Sequence, residues 1–152
     1  KTALRLALLL QMTLPGAPSV YYGDEIGMAA GGDPDCREAF PWADEGQWDR
    51  DLLAYYRQVI GLRRRYAALR TGGFEMAYAV GEVVVYKRPL SPTMLLIAIN
   101  AGKEETTVSI PCHLPNLHQI WPQQHAASHA AVDGMLTITI PAREAIVLWH
   151  EE

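Results

Sequence analysis

Two adjacent carboxylates, Asp24 and Glu25, follow a short run of strand formers in "PGAPSVYYGDEIGM", and a carboxylate pair can serve as acid and base in hydrolysis. Neighbours in an extended segment project to opposite faces, so these two cannot meet across one bond. They are read as structural, one accepting hydrogen bonds and the other in solvent. Asp33 and Arg37 form a better pair. They lie four residues apart in "GGDPDCR", among glycines and a Pro-fixed turn. Together they could accept from and donate to vicinal hydroxyls, or equally form an ion pair that stabilises the loop. Trp42, in "FPW" at the loop exit, offers a ring for stacking but is read as a packing anchor.

Other reactive residue types carry less. His125 and His129 have the i, i+4 spacing of a helical metal pair, but "PQQHAASHAAVDG" supplies no third ligand and reads as a loop, so no metal is expected. Arg63, Arg64 and Arg65 read as a solvated helix face. Tyr55, Tyr56 and Tyr66 read as packing residues with wet hydroxyls. Cys36 and Cys112 lie far apart in unlike segments, so two reduced thiols are expected, which favours a cytoplasmic location without fixing it. A net charge of -4 over 152 residues gives no general field for phosphates, so nucleic acid is not an expected partner.

The elements that must position these residues fall into two kinds. Thr2 to Met12 reads as an amphipathic helix, Ser19 to Tyr22 as extended, Gly23 to Gln47 as irregular and Trp48 to Ala68 as helical. Leu52, Tyr56, Val59, Ile60 and Leu62 recur at spacings of three and four. From Thr71 onward alternation takes over at Val83 to Tyr86, Leu95 to Ile99, Thr106 to Ile110, Leu136 to Ile140 and Ala145 to Trp149. With an Asp133-Gly134 turn, this predicts an antiparallel sandwich. "LRTGGF" is the expected hinge. The opening "KTALRLALLLQMTLPGAPSV" imitates a secretory signal, but Gln11 interrupts its apolar part and "PGAPSVYY" reads as a turn and strand. No stretch reaches the length of a membrane span.

In order and spacing, "PGAPSVYYGDEIGM", "GGDPDCREAFPW", "YYRQVIGLRRRYAALRTGGF" and "IPAREAIVL" resemble the end of an α-amylase-family glycoside hydrolase, glycoside hydrolase family 13. The loop version is most similar to the neopullulanase, cyclomaltodextrinase and maltogenic amylase group. The resemblance implies residues 1–69 as the last helix, eighth strand and eighth helix of a (β/α)8 barrel. Residues 70–152 would be the C-terminal β-sandwich. Retaining enzymes of this kind use two carboxylates about 5 to 5.5 Å apart. The family's catalytic carboxylates would all lie before Lys1, so the chain alone is expected to be inactive and to need no cofactor.

By the same resemblance, the positions of Asp33 and Arg37 bind glucose on the non-reducing side of the cleaved bond of an α-glucan or cyclodextrin. Glu38 stands where many relatives carry a second Arg, and Ala39 where they carry Pro, which alters the electrostatics beside Arg37. One strand between two helices leaves apolar faces open, so self-association or an upstream part covering them is expected. Two readings compete with this one. A carbohydrate-binding or structural sandwich module would have to draw on Tyr78, Tyr86, Trp121 and Trp149, which partly alternate inward. A secreted protein would lose the residues before about Tyr21.

Overall fold

Helices and strands follow one another in blocks along the chain, as the periodicities require. The computed structural model describes residues 1–29, 38–114, 116–123 and 126–151. Helix α1 spans Thr2–Thr13, α2 Arg50–Arg65 and α3 Ala67–Thr71. Strands β1 Glu75–Val80, β2 Val83–Leu90, β3 Thr93–Asn100, β4 Thr106–Pro111, β5 His118–Trp121, β6 His129–Val132, β7 Met135–Ile140 and β8 Glu144–Glu151 follow.

The strands form two antiparallel sheets, five-stranded in the order β1-β2-β3-β8-β5 and three-stranded in the order β4-β7-β6. Between β6 and β7 the hairpin turns on Asp133 and Gly134, both at positive φ, as an Asp-Gly two-residue turn demands. The sandwich predicted from alternation is therefore present. Its central strand β3 is a near-continuous apolar run because both of its faces are covered. Met94, Leu96 and Ala98 face the smaller sheet and pack with Ile138, Ile140 and Val108. Leu95, Ile97 and Ile99 face the other way, onto α1 and α2, where they meet Leu9, Leu52 and Val59.

Three local expectations need correction. Ser19 to Tyr22 joins no ladder among the described residues; Ser19 O accepts instead from Gln11 Nε2 at 2.6 Å and Tyr21 O from the Asp24 N–H at 3.2 Å, a turn bond. The expected helix from Trp48 to Ala68 begins two residues later and breaks at Tyr66, whose ψ of 110 is extended. Arg63 is not part of a solvated face. It is buried, and donates to the carbonyl oxygens of Met12 at 2.7 Å, Leu14 at 3.1 Å and Gly16 at 2.5 Å. Arg64 and Arg65 are exposed.

Arg88 serves the same helix end from the sheet. It is fully buried and donates to Thr13 O at 2.6 Å, Gly73 O at 2.7 Å and Gly72 O at 2.9 Å. Two guanidinium groups thus satisfy carbonyls at the negative end of the α1 dipole. Burial pushes both arginines below their ordinary pKa. The glycines of "LRTGGF" form a packed elbow: a Cβ on Gly72 would lie 2.5 Å from Ala68 O and 2.8 Å from Pro89 O. Cys112 is a buried free thiol, and Cys36 lies outside the described residues.

Candidate functional site

The irregular segment between α1 and α2 is pinned at its base by a glycine-bounded turn. Gly23 has φ 92 and Gly27 φ 71, with a single 3-10 turn, Asp24–Ile26, between them. A side chain on Gly23 would collide with Met28, whose sulfur lies 2.5 Å from an ideal Cβ. Glu25 folds back to accept the Gly23 N–H at 2.8 Å, while Asp24 is exposed. The two carboxylates thus have the separate structural roles expected of them, although the backbone here is a tight turn and not extended. Ile26 is buried and accepts the Asp49 N–H at 3.0 Å.

Asp49 ties the far end of the segment to α2. Its carboxylate caps the helix by accepting the Leu52 N–H at 2.9 Å, and it pairs with Lys1 Nζ at 2.6 Å. The hydrogen bond from Lys1, followed by that from Leu52, holds its pKa below the ordinary aspartate value.

Asp33 and Arg37 lie outside the described residues. What is described is the frame on either side of them. Tyr22 donates from its hydroxyl to Glu38 O at 3.0 Å, so the backbone just past Arg37 is bound to the extended segment. Beyond it Phe40, Trp42 and Trp48 form a ring cluster, with centroids 4.3 Å apart for Phe40 and Trp42 and 5.5 Å for Phe40 and Trp48. Trp48 is fixed by donating to Pro41 O at 3.2 Å.

Trp42 does not act as a buried anchor. It packs against Phe40 at the edge of the cluster but is 75% exposed. Trp48 is half-buried, so the expected packing role of Trp42 is met only in part, by its contact with Phe40. The exposed Trp42 ring offers flat apolar surface on which a ligand's C–H face could stack.

The histidine pair does not assemble a site among the described residues. His129 begins β6, and its ring nitrogens lie 3.2 Å from Leu117 O and 3.3 Å from Ala127 O. His125 lies outside the described residues, and no group of three or more metal-ligating side chains occurs among those described. No described helix is long and apolar enough to cross a membrane.

Sequence reasoning could have found Arg63. Leu52, Tyr56 and Val59 mark the buried face of α2, and Arg63 continues that phase four residues on, whereas Arg64 and Arg65 leave it.

Comparison with known proteins adds independent information. Residues 72–148 match the family model of the alpha-amylase C-terminal domain. The chain is 41% identical over 110 residues to a cyclomaltodextrinase of Bacillus sp, covering 71% of this chain and 20% of that protein. It is 33% identical over 150 residues to neopullulanase 2 of Thermoactinomyces vulgaris, covering 96% of this chain and 25% of that protein. The solved native debranching enzyme of Nostoc punctiforme superposes with a TM-score of 0.85 at 36% identity, over 97% of this chain and 31% of that one. The chain therefore spans a third or less of each of these relatives, and it belongs to the alpha-amylase C-terminal domain family of the α-amylase-type glycoside hydrolases.

Proposed function

We propose that this chain is the C-terminal part of a retaining hydrolase of α-1,4-glucosidic bonds, of the cyclomaltodextrinase and neopullulanase type. Residues 1–69 are read as the end of a (β/α)8 barrel and residues 70–152 as the sandwich beyond it. The observation that carries this reading is the segment Ser19 to Tyr22. It joins no ladder among the described residues and exposes Val20, Tyr21 and Tyr22 between two helices that each bury one face. Exposed apolar side chains of that kind are covered only by further structure, and the solved relative supports such a setting by aligning with 97% of this chain over 31% of its own length.

In this reading the loop after the strand stands where a barrel presents its substrate-binding residues. Asp33 and Arg37 bind sugar hydroxyls, and the Trp42 ring lies alongside. The reacting carboxylates belong to preceding strands, so the chain alone does not hydrolyse glucan and requires no cofactor. An α-glucan or cyclodextrin is the substrate.

The test is a hydrolysis assay with maltooligosaccharide and cyclodextrin on this chain and on the gene product extended upstream through the whole barrel. Activity only in the extended protein, with Arg37→Ala altering the product pattern or lowering turnover, supports the reading. Turnover by the 152-residue chain itself contradicts it.

A further inference from the structure

We propose that the cleft between the C-terminal half of α2 and strands β5 and β8 is a second binding site for an α-glucan chain, separate from the loop. The proposal rests on the α-glucan reading above. The cleft has a volume of about 410 Å³, within the usual range for small-ligand sites. Gly61, in its wall, lies roughly 17 Å along α2 from Arg50, at about 1.5 Å of rise per residue.

Its lining combines aromatic rings with hydrogen-bonding side chains, among them the Arg65 guanidinium and the His118 imidazole. Tyr66 and Trp149 are both half-buried, with ring centroids 5.9 Å apart and planes tilted by 58°. The Arg65 guanidinium stands over the Tyr66 ring at 5.5 Å from its centroid, so a planar cation and two rings line this wall, held in place with little rotamer entropy left to lose on meeting a sugar. The Gln58 and Gln123 amides are exposed at the rim, able to donate to and accept from hydroxyls. Among the described residues no carboxylate lines this cleft.

Gly61 supplies the independent observation. It sits in the interior of α2, where glycine disfavours the helix by about 1 kcal/mol relative to alanine. Crowding does not explain it, since a Cβ there would meet nothing within 4 Å. Its missing side chain instead leaves the cleft wall open, so that a ligand can approach the helix backbone closely.

An adjoining cleft of about 380 Å³ shares Gln58 and Trp121 with the first. The two together make a track along the seam between helix and sheet. A track suits several linked glucose units better than a single sugar.

The deciding variant is Gly61→Leu, which places a side chain in open space and leaves the core untouched. Maltoheptaose binding to the chain, followed by tryptophan fluorescence, is expected to weaken at least tenfold in Gly61→Leu, at an unchanged or higher melting temperature. It is expected to persist in Arg37→Ala. Equal affinity in Gly61→Leu, loss of all binding in Arg37→Ala, or no binding by the unmodified chain would overturn the proposal. If any of these occurs while the upstream-extended protein still hydrolyses glucan, only the second site is lost. If that protein neither binds nor hydrolyses glucan, the functional reading fails as well.

Discussion

The guanidinium of Arg88 donates to the carbonyl oxygen of Thr13 at 2.6 Å, so the second strand of the sandwich holds the end of the first helix. Two residues earlier on the same face of β2, the Tyr86 hydroxyl meets Thr13 Oγ1 at 2.5 Å. A buried cation bonded only to carbonyls cannot be removed without leaving those acceptors dry. Arg88→Met is expected to destabilise the chain by about 2 to 4 kcal/mol in urea unfolding. Arg88→Lys should rescue little of this, because one ammonium cannot span three diverging acceptors. A change below about 0.5 kcal/mol in Arg88→Met would show that the contacts add nothing.

The neighbouring arginines of α2 give an internal control. Arg63→Ala is expected to cost about 2 kcal/mol by freeing the carbonyls of Met12, Leu14 and Gly16, whereas Arg64→Ala stays within about 0.5 kcal/mol. Equal effects from the two substitutions would restore the picture of a uniformly solvated basic face.

Stability should fall at high pH. Burial pushes the Tyr86 hydroxyl up to about 12, above the ordinary value of 10.0 that it regains on unfolding. The folded state therefore keeps its proton longer than the unfolded one. Its contribution is fully present below pH 10 and is lost as pH rises toward about 12. Tyr55, also buried and donating to Arg5 O at 3.0 Å, shifts in the same direction for the same reason. Urea midpoints between pH 8 and pH 11.5 should decline above pH 10, and less steeply in Tyr86→Phe. A flat profile, or an unchanged slope in that variant, would count against the assignment.

The exposed apolar side chains Val20, Tyr21 and Tyr22 give the isolated chain an adhesive edge. Size-exclusion chromatography should show species larger than 16.9 kDa, and Val20→Lys combined with Tyr22→Lys should shift them toward the monomer. Elution of the unmodified chain as a monomer would contradict the view that this segment seeks neighbours.

Much of the sandwich was legible because its strands are short runs of β-branched and other apolar residues, alternating in β4 and β7 and continuous in β3. Val83 to Tyr86 and Leu136 to Ile140 lie within β2 and β7. By contrast β1, β5 and β6 escaped: "EMAYAV", "HQIW" and "HAAV" are edge strands with weak or partly exposed patterns, whereas the edge strand β4 buries Val108 and Ile110 alternately and was legible. The break at Tyr66 was also invisible, since neither Pro nor Gly marks it. Of the candidate site, the separate roles of Asp24 and Glu25 were expected, but on an extended backbone; the glycine-bounded turn that sets them apart was not foreseen within a segment read only as irregular. The exposure of Trp42 was not foreseen either, because Trp42 and Trp48 have the same side chain and only the Pro41 carbonyl, folded back onto Trp48, distinguishes them.

The most direct test of the central claim is glucan hydrolysis measured side by side for this chain and for the gene product extended upstream through the barrel. The account predicts no turnover of maltooligosaccharide or cyclodextrin by the 152-residue chain, turnover by the extended protein, and an altered product pattern or reduced rate in Arg37→Ala. Turnover by the short chain, or an extended protein inert toward every α-glucan, would contradict it.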